Sequence, residues 1–153
     1  MYNHAPEGYD CPFCRLVRGL QTSRSSQDDV VHRDDRVTAF MASGWWPNNP
    51  GHVLIVPNEH FENVYDLPPE LGTPIQRISQ RLAMAFKVTY GCQGVSTRQH
   101  NEPAGNQDVW HYHLHIFPRY DNDRLYLANR GDSTPEDRRP YADKLRAFLA
   151  RYP

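Results

Sequence analysis

Five consecutive residues, His111-Tyr112-His113-Leu114-His115, restrict this chain more than any other feature. Strict alternation is the period of a β-strand, whose successive side chains leave opposite faces. Read as a strand from Val109 to Pro118, the segment presents His111, His113 and His115 on one side. Tyr112, Leu114 and Ile116 then point to the other side, toward a core. Three imidazoles on one sheet face lose hydration when covered unless each is hydrogen-bonded or bound to something. A lone strand histidine is ordinarily a satisfied surface or core residue. Three at this spacing point instead to metal ligation or to acid/base and nucleophilic work.

Neighbours on one strand face lie about 6.5–7 Å apart at the backbone, so adjacent histidines serve different atoms held side by side. A neutral imidazole is a competent nucleophile toward phosphorus. Its N-phosphoryl product is reactive enough for water to resolve, which splits one hard displacement into two easier ones.

The surrounding pattern supplies a fold for this strand. Residues 1–10 read as a loose lead-in, and Pro12 opens a short helix through Leu16 and Val17 that Gly19 stops. Val30-Val31 and Val37–Phe40 read as short strands across a turn at Asp34-Asp35. Residues 45–51 form a Pro/Asn/Gly-rich loop, and His52–Pro57 is an apolar, β-branched strand ended by proline. Ile75, Ile78, Leu82, Ala85 and Phe86 recur at helical spacing, which predicts a helix over Pro74–Tyr90. Gly94–Gln99 is a further strand, followed by a polar loop over 100–108. Ser133, Pro135 and Glu136 start a last helix with an apolar face of Tyr141, Leu145, Phe148 and Leu149, which Pro140 is expected to break or restart. Strands before and after one long helix predict an α+β fold with an antiparallel sheet, and short helices at the two ends.

Size and charge limit the partners. The 153 residues suit a single domain, with a core over about 11–125 and a helical extension over about 133–151. Seventeen basic against eighteen acidic residues leave a formal charge of -1, so nothing draws the chain generally to nucleic acid or membrane, and a phosphate-bearing ligand needs a local site. No apolar run nears the ~20 residues of a membrane span, and nothing near Met1 reads as a leader, which sets a cytoplasmic expectation. Three cysteines are too few for a disulfide framework. Two stand as Cys11-Pro12-Phe13-Cys14, a spacing that suits half of a zinc site, with a redox dithiol and a pair of buried free thiols as rivals.

The segment His111–Phe117 resembles the His-φ-His-φ-His-φ-φ signature of the histidine-triad (HIT) superfamily. Cys11–Gly19, Pro50-Gly51-His52 through His60, Asn101 with Gly105 and Gln107, and Pro118-Arg119-Tyr120 are similar to family stretches in the same order. The resemblance covers about 11–125. It implies a nucleotide hydrolase or nucleotidyl transferase with His113 as the nucleophile that takes the nucleotidyl group. His115, Gln107 and Asn101 would contact the phosphate oxygens and leaving group. It also implies a homodimer joined through the Pro74–Tyr90 helix and an adjacent strand. A structural zinc would be held by Cys11, Cys14, His52 and His111, with His60 as the alternative fourth ligand and His4, His32 and His100 at the surface.

The sequence departs from the family at the nucleotide end. Relatives often carry a ribose-binding carboxylate eight residues before the Gly-His histidine, and Gly44 stands there. Asp108 occupies a place where Ser or Thr is frequent, and a carboxylate repels an anionic substrate unless it turns away or pairs with a cation. Asn106 replaces a common glycine. Trp45 and Trp46 offer base stacking or plain packing, and Arg119 offers a phosphate clamp or a solvated cation. A binding or scaffold protein with vestigial catalysis is therefore the second reading, and a pure metal-binding module the third.

Overall fold

The computed structural model describes residues 2–125 and 127–152. Five antiparallel strands form the sheet in the order β1-β2-β4-β6-β5. They are β1 (Val30–Arg33), β2 (Val37–Met41), β4 (Val53–Pro57), β5 (Gly94–Gln99) and β6 (Leu114–Arg119). A two-residue pair, β3 (Gly44–Trp45) with β7 (Gly131–Asp132), sits beside it. The Asp34 carboxylate accepts the amides of Arg36 and Val37, both at 2.8 Å, and so makes the β1–β2 turn expected at Asp34-Asp35.

The sheet is covered on both faces, which is why β2 and β4 are buried at every position rather than alternating with polar residues. Val37, Ala39, Met41, Val53, Ile55 and Ile116 meet the long helices on one side. Helix α2 (Gly72–Thr89) contributes Ile75, Ile78, Leu82, Ala85 and Phe86, the predicted helical stripe, with Pro74 in its first turn. Truncating a member of this layer such as Leu82 to alanine costs about 2–5 kcal/mol. On the opposite face Phe40, Leu54 and Val56 pack against Cys11, Phe13 and Leu16 of the short helix α1 (Pro12–Val17) and its cap. The histidines share this second face.

Helix α3 (Pro135–Arg151) is nearly as long as α2 rather than short, and Pro140 does not break it. Pro140 lacks the amide that would bond the Glu136 carbonyl, but both residues are exposed, so that carbonyl is open to solvent. The helix starts at Pro135, in a capping box between Thr134 and Asp137. Ala142, Leu145 and Leu149 are buried, with Tyr141 and Phe148 packed beside them. Arg138 anchors α3 to the start of β1 through a buried two-pronged pair with Asp29, at 2.6 and 3.1 Å. No helix of the described residues is long and apolar enough to cross a membrane.

Candidate active site and metal centre

The strand expected over Val109–Pro118 starts only at Leu114, so His111 and His113 precede it. The ladders to both neighbours end there, with Ile55 and Gln99 facing Leu114. A tight turn takes over upstream, where the His111 amide donates to the Val109 carbonyl at 2.8 Å and the Tyr112 amide bonds the Phe61 carbonyl at 2.6 Å. Alternation survives outside the ladder. Tyr112 and Ile116 are buried in the helix-side core with Leu114 packed on it, while His111, His113 and His115 are buried on the other face.

Each imidazole has a separate commitment. His113 Nδ1–H donates to the His111 carbonyl at 2.7 Å, which leaves the Nε2 lone pair outward. Phe13 packs edge-on against the His113 ring, with centroids 5.3 Å apart. His115 Nδ1 lies 3.0 Å from His52 Nε2, a hydrogen bond between two buried imidazoles. Burial, then the cations Arg130 and Arg98, push His52 down to about 3. Burial and then His52 hold His115 well below the ordinary histidine range, so both stay neutral at pH 7.

His111 turns toward the cysteines. Its Nδ1 lies 3.3 Å from Cys11 Sγ and 3.5 Å from Cys14 Sγ, and Cys14 Sγ lies 3.2 Å from His60 Nδ1. The four ligand atoms all fall within 4.8 Å of one another. A tetrahedral ion with bonds of about 2.3 Å to sulfur and 2.0–2.1 Å to nitrogen sets its S···N edges near 3.5 Å, so these residues fit zinc. His111 Nε2–H donates to the Pro57 carbonyl at 3.0 Å, which fixes the tautomer with Nδ1 available as a ligand. Without a cation, burial pushes the Cys11 thiol up to about 12; a bound ion would reverse this by stabilising the thiolate.

The fourth member of the cluster is His60, not His52. The β4–β6 register pairs Val53 with Ile116 and Ile55 with Leu114, so His52 lies toward Phe117, while the far end of β4 meets His111 through the Pro57 carbonyl. His52 thus sits at the wrong end of β4, about 16 Å along the strand from Pro57. Asn58 anchors the turn that carries His60, accepting from Thr38 Oγ1 at 2.7 Å and donating to the Asp34 carbonyl at 2.8 Å.

A cleft opens over His113. Phe13, Leu16, Phe40 and Leu54 line it together with His52, His113, His115, Asp108 and Arg130. Asp108 Oδ1 stands 3.7 Å from His113 Nε2, and Oδ2 stands 3.4 Å from Arg130 Nη1. His113 first, then Arg130, hold the Asp108 carboxyl down at about 2. The unexpected carboxylate therefore pairs with a cation.

Asn101 and Gln107 do not line this cleft. Gln107 donates to the carbonyls of Glu62 (2.6 Å) and Val109 (3.0 Å) and accepts the Glu102 amide (2.8 Å), which shapes the loop that presents Asp108. Asn101 exchanges amide hydrogen bonds with Gln99 and accepts the Val64 amide at 2.8 Å. Arg119 is no clamp either; it grips Asp123 at 2.7 and 2.9 Å. Trp45 packs on Tyr141, while Trp46 packs on Phe117 and His52 under the guanidinium of Arg98. His4 reaches Glu102 and stacks on Trp110, and His32 pairs with Asp34. His100, expected at the surface, lines the cleft's far side with Arg98 and Arg130, which sequence reasoning did not single out. Arg98, on β5, faces His115 of β6 across the ladder, a register that the sequence alone does not give. Arg130 lies in a connecting segment and had no sequence signal.

The HIT domain family model matches residues 23–122. The chain belongs to the HIT family. It is 29% identical over 145 residues to Protein hit of Bacillus subtilis, covering 92% of this chain and 95% of that one. A crystal structure of a zinc-bound histidine triad family protein from Mycobacterium smegmatis superposes with a TM-score of 0.77 at 28% identity, covering 93% and 94% of the two chains. An adenylylsulfatase of Arabidopsis thaliana is 26% identical over 119 residues, 78% of this chain and 57% of the relative. HIT relatives thus include nucleotide hydrolases, and this HIT chain carries a Cys/His cluster suited to zinc.

Proposed function

We propose that this protein is a nucleotide hydrolase or nucleotidyl transferase that attacks an α-phosphate through a covalent nucleotidyl-histidine at His113. The observation that carries the reading is the His113 tautomer: its Nδ1–H is held by the His111 carbonyl while Nε2 faces a cleft with an apolar wall. In the first step the Nε2 lone pair forms an N–P bond as the bond from phosphorus to the leaving group breaks. The leaving group departs with the electron pair and takes a proton from solvent or a neighbouring group. Water then attacks the same phosphorus, the N–P bond breaks, a proton is released, and a nucleoside monophosphate leaves. The apolar walls take the nucleoside, and His115 donates to the phosphate oxygens from its position beside His113.

Cys11, Cys14, His60 and His111 would hold one structural zinc. Four protein ligands leave no open position, so the ion would fasten α1, and with it Phe13, beside the nucleophile. Reduced thiols at Cys11 and Cys14 suit the cytoplasm. A homodimer joined through α2 and β5 belongs to the same proposal. Exposed Met84 and Val88 on α2 support it, and light scattering on the purified chain tests it.

The test is a screen of adenosine phosphoramidate, diadenosine polyphosphates, adenylyl sulfate and nucleotide sugars, with base-quenched mass spectrometry for the adduct. His113→Ala should lose the adduct and roughly 10⁴-fold or more of the turnover. Retained turnover of every substrate that the parent cleaves would sink the nucleophile. One observation favours a binding protein instead, namely the Asp108 carboxylate 3.7 Å from the attacking nitrogen. Tight nucleoside monophosphate binding with no turnover across the panel would select that reading.

A further inference from the structure

Asp108, His115 and Arg130 line both the cleft over His113 and a polar recess beside it. The recess shares none of the apolar residues Phe13, Leu16, Phe40 and Leu54. In-line displacement sends a leaving group away from the attacking nitrogen. With the nucleoside on those apolar residues, the space left for the leaving group is the recess. His100 lines it. The imidazoles stand in a row, with ring centroids 5.0 Å apart from His113 to His115 and 5.7 Å apart from His115 to His100.

His100 is committed in the same way as His113. Its Nδ1–H donates to the Gly105 carbonyl, which can only accept, so the neutral ring carries its lone pair on Nε2. Among the described residues no hydrogen bond occupies that Nε2. Local structure brings the carbonyl back to the ring. Pro103–Gly105 forms one 3-10 turn, closed by the Gly105 amide on the Glu102 carbonyl at 3.1 Å. Asn106 leaves the turn with a φ of +66°, a left-handed conformation that asparagine visits more readily than most residues, so the place of a common glycine is kept. Burial first, then Arg98 and His113, hold His100 below the ordinary histidine range, against the pull of the Gly105 carbonyl and of Asp108. Asp108 is held at about 2 and His115 well below its ordinary value, while Arg98 and Arg130 keep their charge. His100 is thus the group of the recess that changes its protonation nearest to neutral pH.

We propose that His100 is the general acid and base of the reaction, protonating the leaving atom in the first step and deprotonating the attacking water in the second. In the first step the imidazolium Nε2–H gives its proton to the leaving atom as the bond from that atom to phosphorus breaks and the N–P bond to His113 forms. A neutral His100 remains. In the second step its lone pair takes a proton from water as the water oxygen bonds to phosphorus, and the N–P electron pair returns to His113. In-line attack brings this water from the side that the leaving group vacated, so one residue serves both steps. The proposal rests on the reading of His113 as nucleophile and names the proton donor for its leaving group.

Substrates that differ in their need for a proton separate the two steps. Ammonia leaves adenosine phosphoramidate only once the nitrogen is protonated, whereas sulfate leaves adenylyl sulfate as a stable anion. His100→Asn keeps an N–H for the Gly105 carbonyl and has no group to carry the proton. In single-turnover quench experiments it should form the adduct from adenylyl sulfate within about threefold of the parent rate and lose it about 10²-fold more slowly. Adduct formation from adenosine phosphoramidate should fall about 10²-fold. Adduct decay needs the neutral base, so in the parent it should slow as the pH falls below about 6.5, and this acid limb should vanish in His100→Asn. Free imidazole should restore decay in His100→Ala, which a merely structural loss would not allow; this variant also serves if the asparagine one does not fold. Unchanged decay, equal slowing of adduct formation from both substrates, or an acid limb retained in His100→Asn overturns the assignment. Turnover without any adduct in the parent, with the acid limb lost in His100→Asn, sinks the nucleophile at His113 alone. A parent that turns over no substrate sinks both.

Discussion

His113 Nδ1 donates to the carbonyl of His111 at 2.7 Å, while the ring of the same His111 faces Cys11 and Cys14. One residue thus orients the proposed nucleophile with its main chain and joins the Cys/His cluster with its side chain. Removal of zinc with a chelator should lower kcat several-fold and move KM less, because the cleft walls at Phe40 and Leu54 stand on the sheet. Steady-state kinetics before and after zinc restoration checks this, and an unchanged kcat in metal-free protein would refute the coupling.

Metal content separates the two histidines that competed for the cluster. His60 Nδ1 is 3.2 Å from Cys14 Sγ, whereas His52 is bonded to His115. Elemental analysis should give one zinc per chain for the parent and for His52→Gln. His60→Ala should carry far less after dialysis against a weak chelator, since one lost ligand lowers affinity by roughly 10²-fold or more. Equal zinc in the two variants would remove His60 from the site.

Much of this was legible in the sequence because local period dictates it. The α2 stripe, the turn at Asp34 and the two-faced alternation around His113 all follow from side-chain spacing. The fourth member of the Cys/His cluster, His60, stood in the sequence only as the alternative to His52, because the choice depends on where the strands place each residue. An antiparallel β4 brings its C-terminal end toward His111, and only the placed strands show that Pro57, and not His52, lies beside that residue. The loops were hidden for a related reason. Gln107 satisfies main chain at Glu62 and Glu102, and Asn101 accepts the amide of Val64, contacts invisible before the loops are placed. Arg130 enters the cleft only because β7 pairs with β3, a contact between segments some 86 residues apart by number.

Acid should destabilise the fold earlier than carboxylates alone predict. His52 is held neutral, down to about 3, and His115 well below its ordinary value, while unfolded imidazoles take up protons near pH 6.5. Unfolding therefore takes up protons as the pH falls below about 6.5, so the stability present above that pH is lost progressively toward pH 3. Each such group adds a slope of up to about 1.4 kcal/mol per pH unit. Denaturant midpoints at pH 7.5, 6 and 5 should fall in the parent and fall less in His52→Gln. Parallel slopes would show that His52 is not the group responsible.

Gly51 is required by both backbone and packing. Its φ is +85°, and an added Cβ would lie 2.6 Å from Tyr141 Cδ1 and 2.9 Å from Tyr90 Cε2. The left-handed conformation costs about 1–2 kcal/mol for a residue with a Cβ, and overpacking about 1–3 kcal/mol more. Gly51→Ala should therefore lose about 3 kcal/mol in chemical denaturation. A loss under about 1 kcal/mol would mean that the two tyrosines, which join α2 to α3, move aside freely.

The last prediction concerns Asp123, which explains why Arg119 is not a substrate clamp. The buried carboxylate accepts from Arg119 Nε and Nη2, from Asn49 Nδ2 at 2.7 Å, and from the amides of Tyr120 and Leu125 at 3.0 and 3.1 Å. Arg119 above all holds this carboxyl well below the usual carboxylate range. A depressed folded value means that the stabilisation is fully present above the unfolded carboxylate's value near 3.9 and disappears only as the pH falls through the folded one. Asp123→Asn should thus cost about 3 kcal/mol at pH 7, because it leaves the guanidinium without its counter-charge. The gap between parent and variant should remain undiminished at pH 5 and narrow only below about pH 4. Urea titrations of both proteins at pH 7, 5 and 3.5 give the comparison. A gap that already closes at pH 5 would show that the carboxylate takes up its proton above the ordinary range and that Arg119 does not hold it down.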